Sequence, residues 1–277
     1  MNFVVYSGIV VKGSLVLLIK FFTGSYVSAS KSPTFQTLNL AHNIKTLTMN
    51  FKVTKKLLLL ALIWTMNLSL AQENEITIKF IGNCGLYMTD GITNIYADFP
   101  YKSGAYGYME FDDAALDSVK ENAIFIFSHK HADHYSGKNI RKILREKGGK
   151  KFTPRTANKL VEYVEGIPEF EVQVFKTKHK FSLKHVSYLI TWHGKRIYLS
   201  GDTTNPETVG QIKNIDLAFV PHWILTNAKE QEIKIDAKKF GVYHLYPQQI
   251  PSAKEHWDKT EYIRLLTKQG EEFTLKY

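Results

Sequence analysis

Five consecutive apolar residues, Ala123-Ile124-Phe125-Ile126-Phe127, constrain this chain more than any other stretch. The run is too short for a helix and has no polar position to offer to water. It reads as a strand covered on both faces, which requires further layers of structure on either side. The chain then changes character at Ser128-His129-Lys130-His131-Ala132-Asp133-His134, where three imidazoles and a carboxylate fall within six residues. In a turn leaving a strand, His129 and His131 can project to one side, while Asp133 and His134 face a second point nearby. Neutral imidazole and carboxylate suit Zn²⁺, with expected bonds of about 2.0–2.2 Å.

Around this centre the pattern alternates between strand and helix. Ile76 to Ile81 alternates like a half-buried strand, Asp90-Gly91 signals a hairpin, and Thr93 to Asp98 returns as a second strand. Helical spacing marks Asp112 to Asn122, Lys138 to Lys147 and Thr156 to Glu165. Strands are expected at Glu171 to Lys178, Val186 to Trp192, Arg196 to Ser200 and Ile215 to Val220. The last third is read as a short helix at Ala237-Lys238-Lys239, a strand into His244, a helix near Glu255 to Gln269 and a strand Glu272 to Lys276. Hairpins first and strand–helix alternation later imply an α+β fold of mixed sheets covered by helices.

The N-terminus is a separate problem. Of 36 Lys and Arg, seven Lys lie in residues 1–71, which hold no Asp or Glu, so residues 72–277 carry 29 basic and 26 acidic side chains, a net of +3. That balance gives no polyanion-binding stripe, and no nucleic-acid partner is expected. Lys52, Lys55 and Lys56 precede the apolar run Leu57 to Leu70, and Ser69-Leu70-Ala71 offers a cleavage site. Residues 49–71 thus read as a signal peptide, too short for a typical membrane span, with 1–48 as an upstream extension or an acid-poor transit segment. The expected product is an exported domain, 72–277, cut near Ala71, with no stable membrane span. Its single cysteine, Cys84, reads as a small buried hydrophobe.

The segment His129, His131, Asp133, His134 matches the HxHxDH signature of the metallo-β-lactamase-fold hydrolases, and the resemblance runs through nearly all of residues 76–250. Ala97-Asp98-Phe99-Pro100, Ser200-Gly201-Asp202-Thr203 and Val242-Tyr243-His244 resemble further family segments. Phe80-Ile81-Gly82-Asn83-Cys84-Gly85 is most similar to a branch that includes ascorbate-phosphate lactonases, which often carries a His where Asn83 stands. The resemblance implies an αββα sandwich, two mixed sheets back to back with helices outside and metals at one edge. It implies His129, His131 and a third His on one metal, Asp133, His134 and His244 on another, and Asp202 bridging them. Both His179 and His185 fall at the right sheet edge. The family's loop spacing favours His179 as ligand and leaves His185 beside it.

Asp98 is expected to accept an imidazole N–H and fix a ligand's tautomer. Asp133, Asp202 and His222 are the candidates for catalytic roles, His222 as a proton donor. Two Zn²⁺ ions, with Mn²⁺ or Fe²⁺ as alternatives, would then supply a hydroxide that attacks a small ester, lactone or phosphoester. β-Lactam hydrolysis and metal binding without turnover are the other readings. The expected partner is a small-molecule substrate.

Overall fold

The computed structural model describes residues 8–11, 14–17, 74–257 and 260–277. The chain divides into two units, Met1–Leu70 and Ala71–Tyr277. In the first, β1 (Gly8–Val11) and β2 (Ser14–Leu17) pair antiparallel. The expected signal segment, 49–71, lies outside the described residues. Among the described residues no helix is long and apolar enough to cross a membrane.

The second unit holds two six-stranded mixed sheets. One contains β3 (Glu75–Gly82), β4 (Gly85–Thr89), β5 (Asn94–Ala97), β6 (Ile124–Ile126), β7 (Lys150–Phe152) and the C-terminal β14 (Glu272–Lys276), in the order β14-β3-β4-β5-β6-β7. The other contains β8 (Phe170–Thr177), β9 (His185–Trp192), β10 (Lys195–Leu199), β11 (Ile215–Pro221), β12 (Ala237–Tyr243) and β13 (Ile263–Leu265), in the order β13-β12-β11-β10-β9-β8. In each sheet one half is antiparallel hairpins. The other half is parallel: β5, β6 and β7 in the first, and β10 to β13 in the second.

The apolar run centred on β6 shows why four layers form. Ile124 and Ile126 enter the core between the sheets, with Ile78, Met88, Ile190, Leu199 and Phe219. Phe125 and Phe127 point the other way, against Ile140 and Ile143 of helix α2 (Gly137–Lys147). Truncating a ring such as Phe125, fully buried, would cost about 3–5 kcal/mol. Outside the second sheet lie α4 (Glu207–Gln211), α5 (His222–Glu230) and α6 (Ile250–Trp257), which pack Val209, Ile224 and Ala253 on Leu189, Tyr198 and Val242. The result is the expected helix–sheet–sheet–helix arrangement.

Several local expectations are corrected. The helix expected over Asp112 to Asn122 shrinks to α1 (Ala114–Asp117), because tertiary partners take the later N–H groups: Lys120 donates to the Tyr96 hydroxyl and Asn122 to the Lys147 carbonyl. Ala237 to Lys239 is strand, pulled into parallel register with Ile215 to Leu217. The helix expected near Glu255 to Gln269 is displaced. α6 stops at Trp257, and Ile263 to Leu265 alternates buried, exposed, buried as an edge strand on β12. α3 (Ala157–Val164) falls within its expected span.

Candidate metal centre

The C-terminal ends of the parallel strands deliver polar side chains to one edge of the sandwich. Asp98 follows β5, Ser128 to His134 follow β6, Asp202 follows β10, His222 follows β11 and His244 follows β12. The β8–β9 hairpin brings His179 and His185 to the same edge. At strand ends the backbone must turn sharply, and Asp98 (φ 46°), Gly201 (φ 57°) and His244 (φ 59°) all do so in the left-handed region. At Gly201 a Cβ would stand 2.5 Å from Ser128 Cβ and 2.7 Å from His185 Nε2, so glycine is required there.

The side chains form two contiguous groups. His129, His131 and His179 make one, and Cys84, His134, Asp202 and His244 the other, with candidate ligand atoms within 4.8 Å of one another in each. Asp202 lies between them: its Oδ2 is 3.0 Å from His134 Nε2, 3.1 Å from His244 Nε2, 3.8 Å from His179 Nε2 and 3.9 Å from His129 Nε2. Asp133 joins the second group through Oδ2, 3.2 Å from His244 Nε2.

Hydrogen bonds on the outer ring nitrogens decide which nitrogen faces inward. Asp98 accepts the Ser128 N–H and the Ser128 hydroxyl, both at 2.7 Å, and the His134 Nδ1–H at 3.0 Å. With its proton given to Asp98, the Ser128 hydroxyl accepts from His129 Nδ1 at 3.0 Å. His129 Nε2 is then a lone pair aimed into the cluster, buried and without a hydrogen-bond partner, as is Asp133 Oδ1. His179 donates from Nδ1 to the Asp202 carbonyl at 2.8 Å, and His131 from Nε2 to the Phe181 carbonyl at 3.3 Å. Four imidazoles are therefore oriented by a protein oxygen with the other nitrogen turned inward, the arrangement of oriented metal ligands. His185 differs, since both its nitrogens are engaged: Nε2 accepts the Asp202 N–H at 3.0 Å and Nδ1 pairs with Thr177 Oγ1 at 2.6 Å.

No family model and no curated protein matches the sequence. Solved structures do match it. A metallo hydrolase of the archaeon Ignicoccus hospitalis shares 16% identity over 73% of this chain and 99% of its own, at a TM-score of 0.52. The metallo-β-lactamase-fold protein YhfI of Bacillus subtilis shares 12% over 73% and 100%, at 0.53. The chain adopts the metallo-β-lactamase fold. A candidate metal-dependent hydrolase of Parabacteroides distasonis, at 20% identity over 69% of this chain and 92% of its own, gives a TM-score of 0.51. These likenesses reach the fold and no particular branch within it.

The electrostatics of this metallo-β-lactamase-fold site suit a cation. Burial alone would depress the His134 and His244 pKa values, yet Asp202, with Asp98 at His134 and Asp133 at His244, holds both raised. Burial would raise Asp202, but those two imidazoles hold it well below the usual carboxylate range. Positive charge is thus favoured among these groups, which is the charge a divalent ion would bring. His129, pushed down by burial and then by His134, stays neutral, as a ligand must. Burial also lowers His179, and His185 to about 3.

Three neighbours, Cys84, Tyr108 and Tyr246, were not legible as site residues. Cys84, read as a small hydrophobe, is buried, and its thiol also reaches Asp202 Oδ1 at 3.7 Å. Tyr108 lies edge-on to His244, ring centroids 4.2 Å apart, and stacks on Tyr246 at 3.8 Å. Nothing in their local sequence marks either tyrosine. Trp223 completes this aromatic wall, 5.3 Å from His244, with Nε1 donating to the Thr203 carbonyl. His222 stands at the first turn of α5, outside both groups, its pKa lowered by burial and by His244. Asn83 accepts from Met109 N–H at 3.0 Å and donates to the Asp133 carbonyl at 3.3 Å.

Proposed function

We propose that this chain is an exported, zinc-dependent hydrolase of small esters, lactones or phosphoesters. The observation that carries the reading is the set of inward-facing nitrogens, above all the unpartnered, buried His129 Nε2. A polar atom left alone in a protein interior costs about 1–3 kcal/mol, and coordination removes that cost. His129, His131 and His179 would hold one ion; His134, His244 and Asp133 would hold a second, with Asp202 shared. Bound there, such ions supply Lewis acidity and a water ionised near neutrality.

The protein's own groups do the rest. Asp98 and Ser128 fix the tautomers of His134 and His129, so neither ring reorganises during turnover. Asp202 is held by the His185 contact to its backbone, which sets its carboxylate between the two groups. His222, whose pKa is lowered by burial and by His244, would exchange a proton with a leaving group on that side. Tyr108, Tyr246 and Trp223 exclude water from that side. No Ser or Cys nucleophile is required.

The test joins metal analysis of the purified protein with a screen of esters, lactones, phosphodiesters and β-lactams. Two equivalents of metal, hydrolysis lost to EDTA and regained with Zn²⁺, and activity surviving in Cys84→Ala are expected. Activity untouched by exhaustive chelation, or a trapped covalent intermediate, would remove the reading.

A further inference from the structure

The approach to His131 and His179 is of one chemical character. Between the β8–β9 hairpin and the loops after β6 and β7 lies a recess of ≈ 250 Å³, lined among others by Lys130, His131, Arg155, Phe181, Leu183 and Lys184. It adjoins a second, of ≈ 490 Å³, reached by His179 and Lys178. Among the described residues no carboxylate lines either one. The near-neutral charge of the domain therefore conceals a local concentration of cations at the mouth of the site.

The hairpin tip adds a second property. Phe181 and Leu183 are 89% and 96% exposed, the most exposed large hydrophobic pair in one loop among the described residues. Phe181 sits at φ 61°, a conformation that a bulky side chain adopts only under constraint. The constraint runs to the candidate centre itself, because the Phe181 carbonyl accepts from His131 Nε2. The Ser182 N–H to the His179 carbonyl and the Ser182 hydroxyl to the Lys184 carbonyl close the tip. Two apolar side chains are thus held out in water beside three cations by a loop anchored on two candidate ligands. By contrast, the ≈ 690 Å³ cavity between α3 and β8 contains no member of either His group and carries three Glu.

We propose that this recess is the substrate-recognition site and that the substrate carries a phosphate or carboxylate beside an apolar substituent. The proposal rests on the hydrolase reading only in calling the ligand a substrate. Lys130, Arg155 and Lys184 would face the anion, and Phe181 and Leu183 would close over the apolar group, removing their own surface from water.

Titration calorimetry of the metal-replete full chain with hexyl phosphate, inorganic phosphate and hexyltrimethylammonium tests it. Hexyl phosphate should bind more tightly than inorganic phosphate, and the cationic amphiphile should not bind. Exposed charge pairs being individually weak, Arg155→Gln with Lys184→Gln should weaken both phosphates about fivefold or more. Phe181→Ser with Leu183→Ser should weaken hexyl phosphate alone. All four side chains are exposed, so the thermal midpoint should hold in both variants. Unchanged phosphate affinity in the charge variant would overturn the proposal, as would equal binding of the cation. Sedimentation with phosphatidylglycerol vesicles without hexyl phosphate binding would overturn it too, making the tip a membrane contact. Anion binding as expected with no ester hydrolysed would sink the hydrolase reading and leave the anion site standing. Hydrolysis indifferent to charge on the ester would do the reverse.

Discussion

Replacing Asp98 with Asn tests the logic of the whole centre, because it changes hydrogen-bond polarity without changing shape. Asn also tolerates the left-handed backbone at this position, φ 46°. The carboxylate accepts three hydrogen bonds: the Ser128 N–H on Oδ1, and the Ser128 hydroxyl and His134 Nδ1–H on Oδ2. The amide has one accepting arm. Turned toward the fixed Ser128 N–H, that arm leaves an NH₂ facing His134 Nδ1. The imidazole must then move its proton to Nε2, the atom directed at Asp202 and His244. A ligand nitrogen is blocked until the tautomer is restored. Losing such an outer partner typically costs 10–100-fold in metal affinity, or about 1.4–2.7 kcal/mol. Competition against a chromophoric chelator measures this directly, and urea unfolding in excess EDTA measures the separate cost to the metal-free fold. Ser128→Ala, which removes only the hydroxyl, should affect the His129 side and spare His134. Wild-type metal affinity in Asp98→Asn would refute the reasoning and reduce Asp98 to a strand-end residue that holds Ser128.

Further outcomes follow from the same contacts. His179→Ala should strip a metal, whereas His185→Ala should loosen Asp202 and lower activity while retaining metal; metal analysis decides, and the reverse result would exchange their roles. Gly201→Ala combines an unfavourable φ with a clash against Ser128 and His185, so unfolding stability should fall by about 2–5 kcal/mol. At the far end of the hairpins, His193 bonds Glu169 at 2.6 Å and Asp90 at 3.0 Å, which raise its pKa against the opposing effect of burial. A raised folded pKa gives stability that is full below the unfolded value near 6.5 and lost as pH climbs through the folded one. His193→Asn should therefore lower the urea midpoint more at about pH 5.5 than at about pH 9; an equal loss at both would show that the stacking on Tyr277 matters instead.

What the sequence disclosed was what lies close together along the chain. His129 to His134 are contiguous, and the run before them specified a strand with structure on both faces. Asp202 and His244 were reached through the family resemblance, because an Asp or His ending an apolar stretch reads by itself as a turn or core residue. Cys84 and Tyr108 were not, since their partners arrive from β6, β10 and β12, up to 136 residues away at Tyr108 and His244. His193 gave no signal for the same reason, with Asp90 103 residues distant. The misplaced elements have a different cause. Ala237 to Lys239 prefers helix locally, and four backbone-paired parallel strands outweigh three residues of propensity. β13 is three residues long, too short for any period to declare itself.

The inward-facing groups hang from both sheets: His129, His131, Asp133 and His134 from the layer containing β6, and His179, Asp202 and His244 from the other. An ion held among them would be a rivet through the open edge of the sandwich. Apart from hydrogen bonds that cross between them, such as the Val186 N–H to the Ser128 carbonyl, the Tyr188 hydroxyl to the Phe127 carbonyl and His193 to Asp90, the two layers adhere by an apolar core whose dispersion and burial have no preferred direction. Coordination bonds do have one. A shear along the strands would strain several such bonds at once, so loading the site should stiffen the sliding of one layer on the other beyond what those hydrogen bonds already provide.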